Sequence, residues 1–166
     1  MSENLYFQPH ILSQAVSELC QAAGSPEEEA ALVSGRLLKA DLTGHPSHGI
    51  IRIPSYMTMI GINWIKPGAI PEVVYNNGPT ALMNGHRSYG QVGAEKAMGL
   101  AIQKALEYGI AGVGINNLAH IGRLADYANT ASLAGCLSLI FTSCGGVIPM
   151  VAPFEGLARR MATNPI

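Results

Sequence analysis

A turn signal near the middle of the chain constrains the fold more than any other feature. The tetrapeptide Asn76-Asn77-Gly78-Pro79 lies between two short runs of β-forming residues, at 72–75 and 80–83. Asn and Gly accept the left-handed backbone that a tight turn requires, and Pro cannot continue a central strand. The pattern therefore predicts two strands joined by this turn.

The residues at the start of the chain have helical spacing instead. Apolar residues recur at three- and four-residue intervals across 10–23, which predicts a first helix. Ser25 and Pro26, followed by acidic residues, have the order of an N-cap, a proline at the first helical position and a capping box. We expect the second helix to run from there to about Leu42, with Gly44 as its left-handed end.

A third helix is predicted to start near Ser47 or His48 and to end by Gly61. Pro54 falls inside this segment and is expected to kink the helix, because proline removes a backbone hydrogen bond. The residues at 64–68 are predicted to form a loop.

Helix and strand patterns alternate after the turn. Apolar residues at helical spacing predict an amphipathic helix between Gly90 and Tyr108. A glycine-interrupted strand is expected at 110–115, a helix at 123–134 closed by Gly135, and an apolar strand at 137–142. Three helices followed by mixed β and α elements indicate an α+β fold.

The composition argues against several classes of function. A net charge of −1 without any Lys/Arg cluster gives no electrostatic footprint for nucleic acid. The sequence contains no apolar run of the roughly 18 to 20 residues that cross a bilayer, and no secretion signal. Three widely spaced cysteines frame neither a disulfide scaffold nor a CxxC metal site. The expected location is therefore a reducing cytoplasm.

Charged residues are scarce, at 13% of the chain, whereas hydrophobic residues make up 48%. This composition can build a core but provides little charge for the surface of a soluble monomer. We therefore expect a partner subunit or further sequence to cover part of the surface. The first eight residues look like a protease-recognition tag and are excluded from the expected fold.

The segment after the second predicted helix combines an imidazole with a fixed cation. Ser47 precedes His48, and Arg52 follows four residues later, on the same face if the segment is helical. The serine hydroxyl can hold the imidazole in one tautomer. Arg52 has no acid at helical spacing on its apolar segment, so it requires an anion from elsewhere. The group suits chemistry on a small acid with a reactive oxygen next to its carboxylate, although a surface or capping role for His48 stays open.

A metal site is a weaker interpretation of the histidines. His45 and His48 have HxxH spacing, and His86 and His120 are possible further ligands. However, Pro46 breaks the helical register between the first two, and no carboxylate or cysteine is placed to help. A metal site is therefore not expected.

A region rich in glycine and proline, at 143–156, is predicted to form a loop that can pass close to a ligand. Cys144 in this loop is a candidate nucleophile if a histidine lies beside it. A role as a small buried hydrophobic residue is the favoured interpretation.

The junction at 116–124 joins a strand end to a helix start, where backbone N–H groups are suited to binding phosphate. An ordinary strand-to-helix turn explains the same residues. Gly112-Val113-Gly114 is not a dinucleotide fingerprint, because the third glycine position is Asn117. A Rossmann fold is therefore not expected.

Four blocks of residues occur in a fixed order across 10–166. They are Gly44 to Gly49 with Arg52 and Tyr56, Gly90 to Gly93, Asn117 to Leu124, and Thr163 to Ile166. The ordered set resembles that of the non-Rossmann NAD(P)-dependent malate/L-lactate/ureidoglycolate dehydrogenase family. One departure is Phe154-Glu155-Gly156, where the family usually has two glycines after the aromatic residue.

This resemblance implies hydride exchange between NAD or NADP and a small 2-oxo or 2-hydroxy acid. By position, His48 matches the proton donor to the carbonyl oxygen, and Ser47 matches its relay partner. Arg52 matches the clamp on the substrate carboxylate, and Thr163 matches a further substrate contact. A cofactor-binding loop is matched by five residues: His120, Ile121, Gly122, Arg123 and Leu124.

The resemblance also implies how the chain is organised. A cofactor domain with an antiparallel sheet is expected beside a helical domain built from both termini. Residues 9–70 would form the N-terminal helical segment with the catalytic histidine, after a tag remnant at 1–8. Residues 71–166 would form the first part of the cofactor domain. Family members are about twice as long, so we expect a C-terminal half or a second subunit as partner, a homodimer or larger assembly, and no activity from this piece alone.

Two alternatives from other classes stay open. One is a non-catalytic anion-binding or scaffold module that keeps an anion pocket at Arg52. The other is a His/Cys hydrolase that uses Cys144. Fluorescence titration with NADH and NADPH, together with the thiol reactivity of Cys144, distinguishes these alternatives from a dehydrogenase.

Overall fold

Three helices begin the chain and build most of its core. In the computed structural model, which describes residues 6–143 and 151–160, α1 spans Pro9–Ala22, α2 spans Glu27–Leu42 and α3 spans Ile53–Gly61. The helices α1 and α2 pack against each other. The core also includes side chains from later segments, and its buried members are Val16, Cys20, Ala30, Val33, Leu37, Ile53, Tyr56, Ile65, Tyr89 and Ala119.

The predicted cap of α2 is wrong. The helix begins at Glu27, Pro26 occupies the cap position, and no side chain caps the backbone there. Ser25 is buried, and its hydroxyl donates to the Tyr89 hydroxyl at 3.3 Å instead. A buried hydroxyl requires a hydrogen-bond partner. For Ser25 this partner is a hydroxyl of the core and not a backbone N–H at the start of α2. The predicted end is confirmed, since Gly44 has a φ of 80°.

The predicted start of α3 is also wrong. Two short 3-10 turns, at Pro46–His48 and Ile50–Arg52, replace the helical turn expected from Ser47 or His48. Pro54 lies in the first turn of α3. Proline costs no intrahelical hydrogen bond at that position, so it begins the helix and does not kink it.

The predicted hairpin is confirmed and forms part of a three-stranded sheet. Strand β1 (Glu72–Asn77) pairs antiparallel with β2 (Thr80–Asn84), and β2 pairs parallel with β3 (Gly112–Asn116). The parallel pair requires a crossover connection, which α4 (Gly90–Tyr108) provides. The sheet is therefore mixed: the β1–β2 pair has the expected antiparallel arrangement, whereas β2 and β3 are parallel.

The helix α5 (Leu124–Leu133) follows β3 and ends before Gly135, which has a φ of 76°. Its first turn is fixed by Asp126, whose side chain is only 2% exposed. The Asp126 carboxylate pairs with Arg123 of the preceding segment at 2.6 Å and with Lys39 of α2 at 3.1 Å. These ion pairs fix the start of α5, and with it the end of the 117–124 segment, against α2.

The strand predicted at 137–142 does not form. A strand requires a neighbour that completes its ladder of hydrogen bonds, and no described segment pairs with these residues. Leu137 and Leu139 are highly exposed as a result. The loop predicted at 143–156 lies partly outside the described residues.

The backbone at Glu155 is left-handed, with a φ of 59°. The resemblance predicted two glycines after the aromatic residue here, so this position takes the left-handed form without glycine. Among the helices of the described residues, none combines the length and apolar character that a membrane span requires.

Candidate active site

The segment between α2 and α3 carries the predicted proton donor and is held by a side chain of α2. The Asp41 carboxylate accepts a hydrogen bond from the Ile50 backbone N–H at 2.8 Å. A Cβ on Gly49 would lie 1.9 Å from Asp41 Oδ1, so the close approach requires glycine. Asp41 therefore sets the path of the backbone beside His48.

Ser47 and His48 form a hydrogen-bonded pair. The Ser47 Oγ lies 3.0 Å from His48 Nδ1, which leaves Nε2 as the nitrogen available to a substrate. Burial lowers the pKa of His48 from its ordinary value of 6.5, and the nearby charges of Arg52 and His45 lower it further. Protonated His48 is thus a stronger acid than a free imidazole.

Arg52 is anchored by its Nε, and its two terminal nitrogens have no partner among the described residues. Its Nε donates to the Ser47 carbonyl oxygen at 2.6 Å. It forms no ion pair with any carboxylate of the described residues. The two terminal nitrogens can therefore bind a carboxylate as a fork. The 3-10 turns, and not the predicted helical turn, hold Arg52 near His48.

A second imidazole, His120, lies beside the first. The ring centroids of His48 and His120 are 5.1 Å apart. The Tyr56 hydroxyl lies 2.8 Å from His120 Nδ1, and Gln91 Nε2 donates to the same hydroxyl at 2.7 Å. Burial first, and then the charges of Arg52 and His48, lower the pKa of His120 to about 4. His120 is therefore neutral near pH 7.

The segment that carries His120 passes the first turn of α4 at very short range. A Cβ on Gly90 would lie 2.2 Å from the His120 carbonyl oxygen and 2.4 Å from that of Ala119. The backbone N–H groups of residues 120–123 donate to no other described residue. The close packing on α4 thus fixes a run of backbone donors at the site.

These backbone donors fit the phosphate or amide groups of a nicotinamide dinucleotide. Arg123 also has a buried Nε with no partner among the described residues, although its guanidinium is paired with Asp126. The described residues therefore fit part of a cofactor site. The assignment of His120 to Leu124 to cofactor binding stays a prediction.

The structure brings together Ser47, His48, Arg52 and His120, with Ile121 to Leu124 following His120 in the same segment. His86 is hydrogen-bonded to Glu72 at 2.9 Å. Within residues 6–143 and 151–160, no three His, Cys, Asp or Glu side chains are grouped so that they could hold a metal ion. Thr163 and Cys144 lie outside the described residues.

Sequence reasoning assigned no role to Tyr56 or Gln91. Both residues occur in the motif blocks, but neither is next to His120 in the chain. Asp41 was likewise given no role. Its contact with Ile50 depends on the turn at Gly44, which reverses the backbone after α2.

The first helices and the mixed sheet form a fold that known proteins share. Residues 7–166 match the family described as malate/L-lactate dehydrogenase. The chain belongs to this malate/L-lactate dehydrogenase family.

Individual relatives agree with this assignment. The chain is 40% identical to hydroxycarboxylate dehydrogenase B of Escherichia coli over 159 residues, which cover 96% of this chain and 44% of that protein. The solved structure of sulfolactate dehydrogenase from Methanocaldococcus jannaschii has a TM-score of 0.84 at 30% identity and covers 97% of this chain and 46% of its own. Malate dehydrogenase from Pyrococcus horikoshii has a TM-score of 0.83 at 30% identity, with coverages of 99% and 49%. The chain thus spans about half the length of the relatives it matches.

Proposed function

We propose that this chain carries the proton-donor and carboxylate-binding groups of an oxidoreductase that transfers a hydride between NAD or NADP and a small 2-oxo or 2-hydroxy acid. The observation that carries this proposal is the Ser47-His48 pair beside Arg52, a cation with no carboxylate partner among the described residues. A 2-oxo acid has its carboxylate next to its carbonyl group. A carboxylate bound to Arg52 brings that carbonyl oxygen towards His48.

The relatives support the same class of substrate. The relatives described above are named as dehydrogenases of malate, sulfolactate or hydroxycarboxylates. Malate and sulfolactate both have a hydroxyl group on the carbon next to a carboxylate. The guanidinium of Arg52, which pairs with no carboxylate of the described residues, and the imidazole of His48 are complementary to these two groups.

In the reduction direction, His48 donates a proton from Nε2 to the carbonyl oxygen as negative charge develops there. A nicotinamide cofactor, when bound, supplies the hydride to the carbonyl carbon. Arg52 holds the carboxylate, so the reacting carbon has a fixed position. In the oxidation direction, neutral His48 accepts the hydroxyl proton, and the Ser47 hydroxyl accepts a hydrogen bond from Nδ1–H of the imidazolium.

The cofactor and the partner belong to the same proposal. The backbone of His120 to Leu124 would bind part of the NAD or NADP, and Thr163 would add a substrate contact. Apolar residues of the sheet are exposed, including Val73, Val74 and Tyr75 of β1. We propose that a C-terminal half like that of the relatives, or a second subunit of a cytoplasmic homodimer, covers this surface and completes the cofactor site.

The test is an assay of NADH and NADPH oxidation with pyruvate, oxaloacetate and sulfopyruvate. The complete enzyme, meaning this chain together with a C-terminal half of the kind found in its relatives, is compared with this chain alone. We expect turnover by the complete enzyme only. The matched control substrate is pyruvamide, which has the same carbonyl group and no carboxylate.

Equal rates on pyruvate and pyruvamide would show that Arg52 does not bind the substrate. Absence of nucleotide binding, measured by fluorescence titration of the complete enzyme, would contradict the oxidoreductase. Binding of lactate without any turnover would favour the alternative of an anion-binding module.

A further inference from the structure

Three side chains from distant parts of the chain form a line of hydrogen bonds that ends at the site. Gln91 of α4 donates from Nε2 to the Tyr56 hydroxyl of α3, and that hydroxyl lies 2.8 Å from His120 Nδ1. Gln91 and Tyr56 are each only 1% exposed. Bulk water therefore does not compete for these bonds.

The donor and acceptor properties of these groups give the line one direction. An amide nitrogen can only donate, so the Tyr56 oxygen is an acceptor towards Gln91. The hydroxyl proton is then available to His120 Nδ1, which accepts it when the ring proton is on Nε2. In the opposite arrangement Nδ1–H would donate to the oxygen, and the buried hydroxyl proton would have no acceptor among the described residues.

We propose that Tyr56 and Gln91 are positioning residues that hold His120 in the Nε2–H tautomer, so that its ring presents a fixed hydrogen-bond donor to the substrate oxygen beside His48. The identity of that oxygen rests on the proposed function. The direction of the hydrogen bonds depends only on the three side chains.

The surroundings of His120 favour this neutral donor. His120 Nε2 has no hydrogen-bond partner among the described residues, so it is available to a ligand. The titratable and charged groups that face the ring are Arg52, His48 and Tyr56. The two basic groups oppose protonation of His120, which keeps Nδ1 free to accept from Tyr56.

An unsatisfied atom of Gln91 supports a positioning role. Its Oε1 is buried without a hydrogen-bond partner in the described part of the chain. The side chain packs against Gly122, where a Cβ would lie 3.5 Å from Gln91 Nε2. An apolar side chain of similar size would avoid the unsatisfied oxygen, so stability alone does not explain an amide here.

The tautomer can be measured directly. The complete enzyme is labelled with ¹⁵N-histidine, and the nitrogen shifts of His120 are compared in wild type, Tyr56→Phe and Gln91→Leu. We expect the Nε2–H tautomer in wild type and a mixture of both tautomers in the two variants. The control is Tyr89→Phe, which removes a hydroxyl from the same core, since the Tyr89 ring lies 5.9 Å from that of Tyr56 but its hydroxyl contacts Ser25.

The same variants are assayed for reduction of 2-oxo acids. We expect Tyr56→Phe and Gln91→Leu to lower kcat by roughly 10- to 100-fold, because a preorganised donor is lost, while KM changes little. Tyr89→Phe should keep its kcat and its His120 shifts. A variant that merely unfolds would change all histidine signals and not His120 alone.

An Nδ1–H tautomer in wild type would overturn the proposal, because it reverses the direction of the line. Unchanged kcat in variants with a mixed tautomer would also overturn it. A wild type with the Nε2–H tautomer and no turnover on any 2-oxo acid would instead contradict the proposed function, and the tautomer would still support the positioning role of Tyr56 and Gln91.

Discussion

His48 and His120 come from distant parts of the chain, and their ring centroids lie 5.1 Å apart. Two imidazoles at this distance cannot both be positively charged without repulsion, and Arg52 adds a further positive charge. The pKa of His120 is lowered to about 4, so His48 is the imidazole that is protonated first as the pH falls. The geometry thus favours His48 for proton transfer and His120 for neutral hydrogen bonding.

We predict that His48→Ala in the complete enzyme lowers kcat by roughly 10²- to 10⁴-fold, the range for a lost general acid. The control is His45→Ala, because His45 is exposed and its ring centroid lies 6.2 Å from that of His48. Steady-state reduction of 2-oxo acids measures both variants. Turnover near the wild-type value in His48→Ala would contradict the role of proton donor.

Arg52→Lys should raise KM for 2-oxo acids by roughly tenfold or more, since a charge-assisted hydrogen bond is worth about 1.5–3 kcal/mol and an ammonium group cannot reproduce the fork. Arg87→Lys is a suitable control, because Arg87 is exposed and its side chain donates to the Asn63 carbonyl oxygen, away from His48 and His120 in the hydrogen bonds of the described residues. KM is measured with several 2-oxo acids. If it does not change for any of them, the carboxylate is bound elsewhere.

Gly90→Ala should destabilise the complete enzyme by about 1–3 kcal/mol, because the new methyl group would collide with the backbone that carries His120. Gly99→Ala in the same helix has nothing within 4 Å of the new Cβ, so it should stabilise by about 0.5–1 kcal/mol. Chemical denaturation of both variants provides the comparison. Equal stabilities would mean that the 119–120 segment moves away at no cost.

The lowered pKa of His120 predicts an acid-sensitive component of stability. The unfolded chain binds a proton at His120 below its ordinary pKa of 6.5, whereas the folded chain binds it only near the lowered pKa of about 4. The contribution of His120 to stability therefore falls as the pH decreases from 6.5 to 4, by up to about 1.4 kcal/mol per pH unit.

His120→Gln should remove this component, so the variant should lose less stability than wild type between pH 6.5 and pH 4. His10→Gln is the control, because His10 is exposed on α1. Denaturation at several pH values measures the slope. Parallel curves for wild type and His120→Gln would contradict the burial of a neutral imidazole.

Local patterns predicted most of the secondary structure because their causes are local. The Asn-Asn-Gly-Pro turn and the helical spacing of α4 lie within single segments. The strand predicted at 137–142 was wrong because a strand depends on a neighbour, which no local pattern supplies. Pro54 was misinterpreted because a proline at a helix start and a proline inside a helix differ only in where the helix begins.

The same distinction applies to the candidate site. Ser47, His48 and Arg52 were predicted together because they are close in sequence. Tyr56 and Gln91 were given no role, since their contact with His120 exists only after α3, α4 and the 117–124 segment have packed. Residues that act through a core contact have no spacing that reveals them.

The hydrogen bond from Arg52 Nε to the Ser47 carbonyl oxygen joins the carboxylate clamp to the backbone next to His48. Because of that bond, a substitution that moves the clamp also moves the proton donor. Natural variation in substrate choice among proteins built this way should therefore avoid the 47–52 segment. It should accumulate instead among residues that face the far end of the acid, where one side chain can be exchanged without disturbing proton transfer.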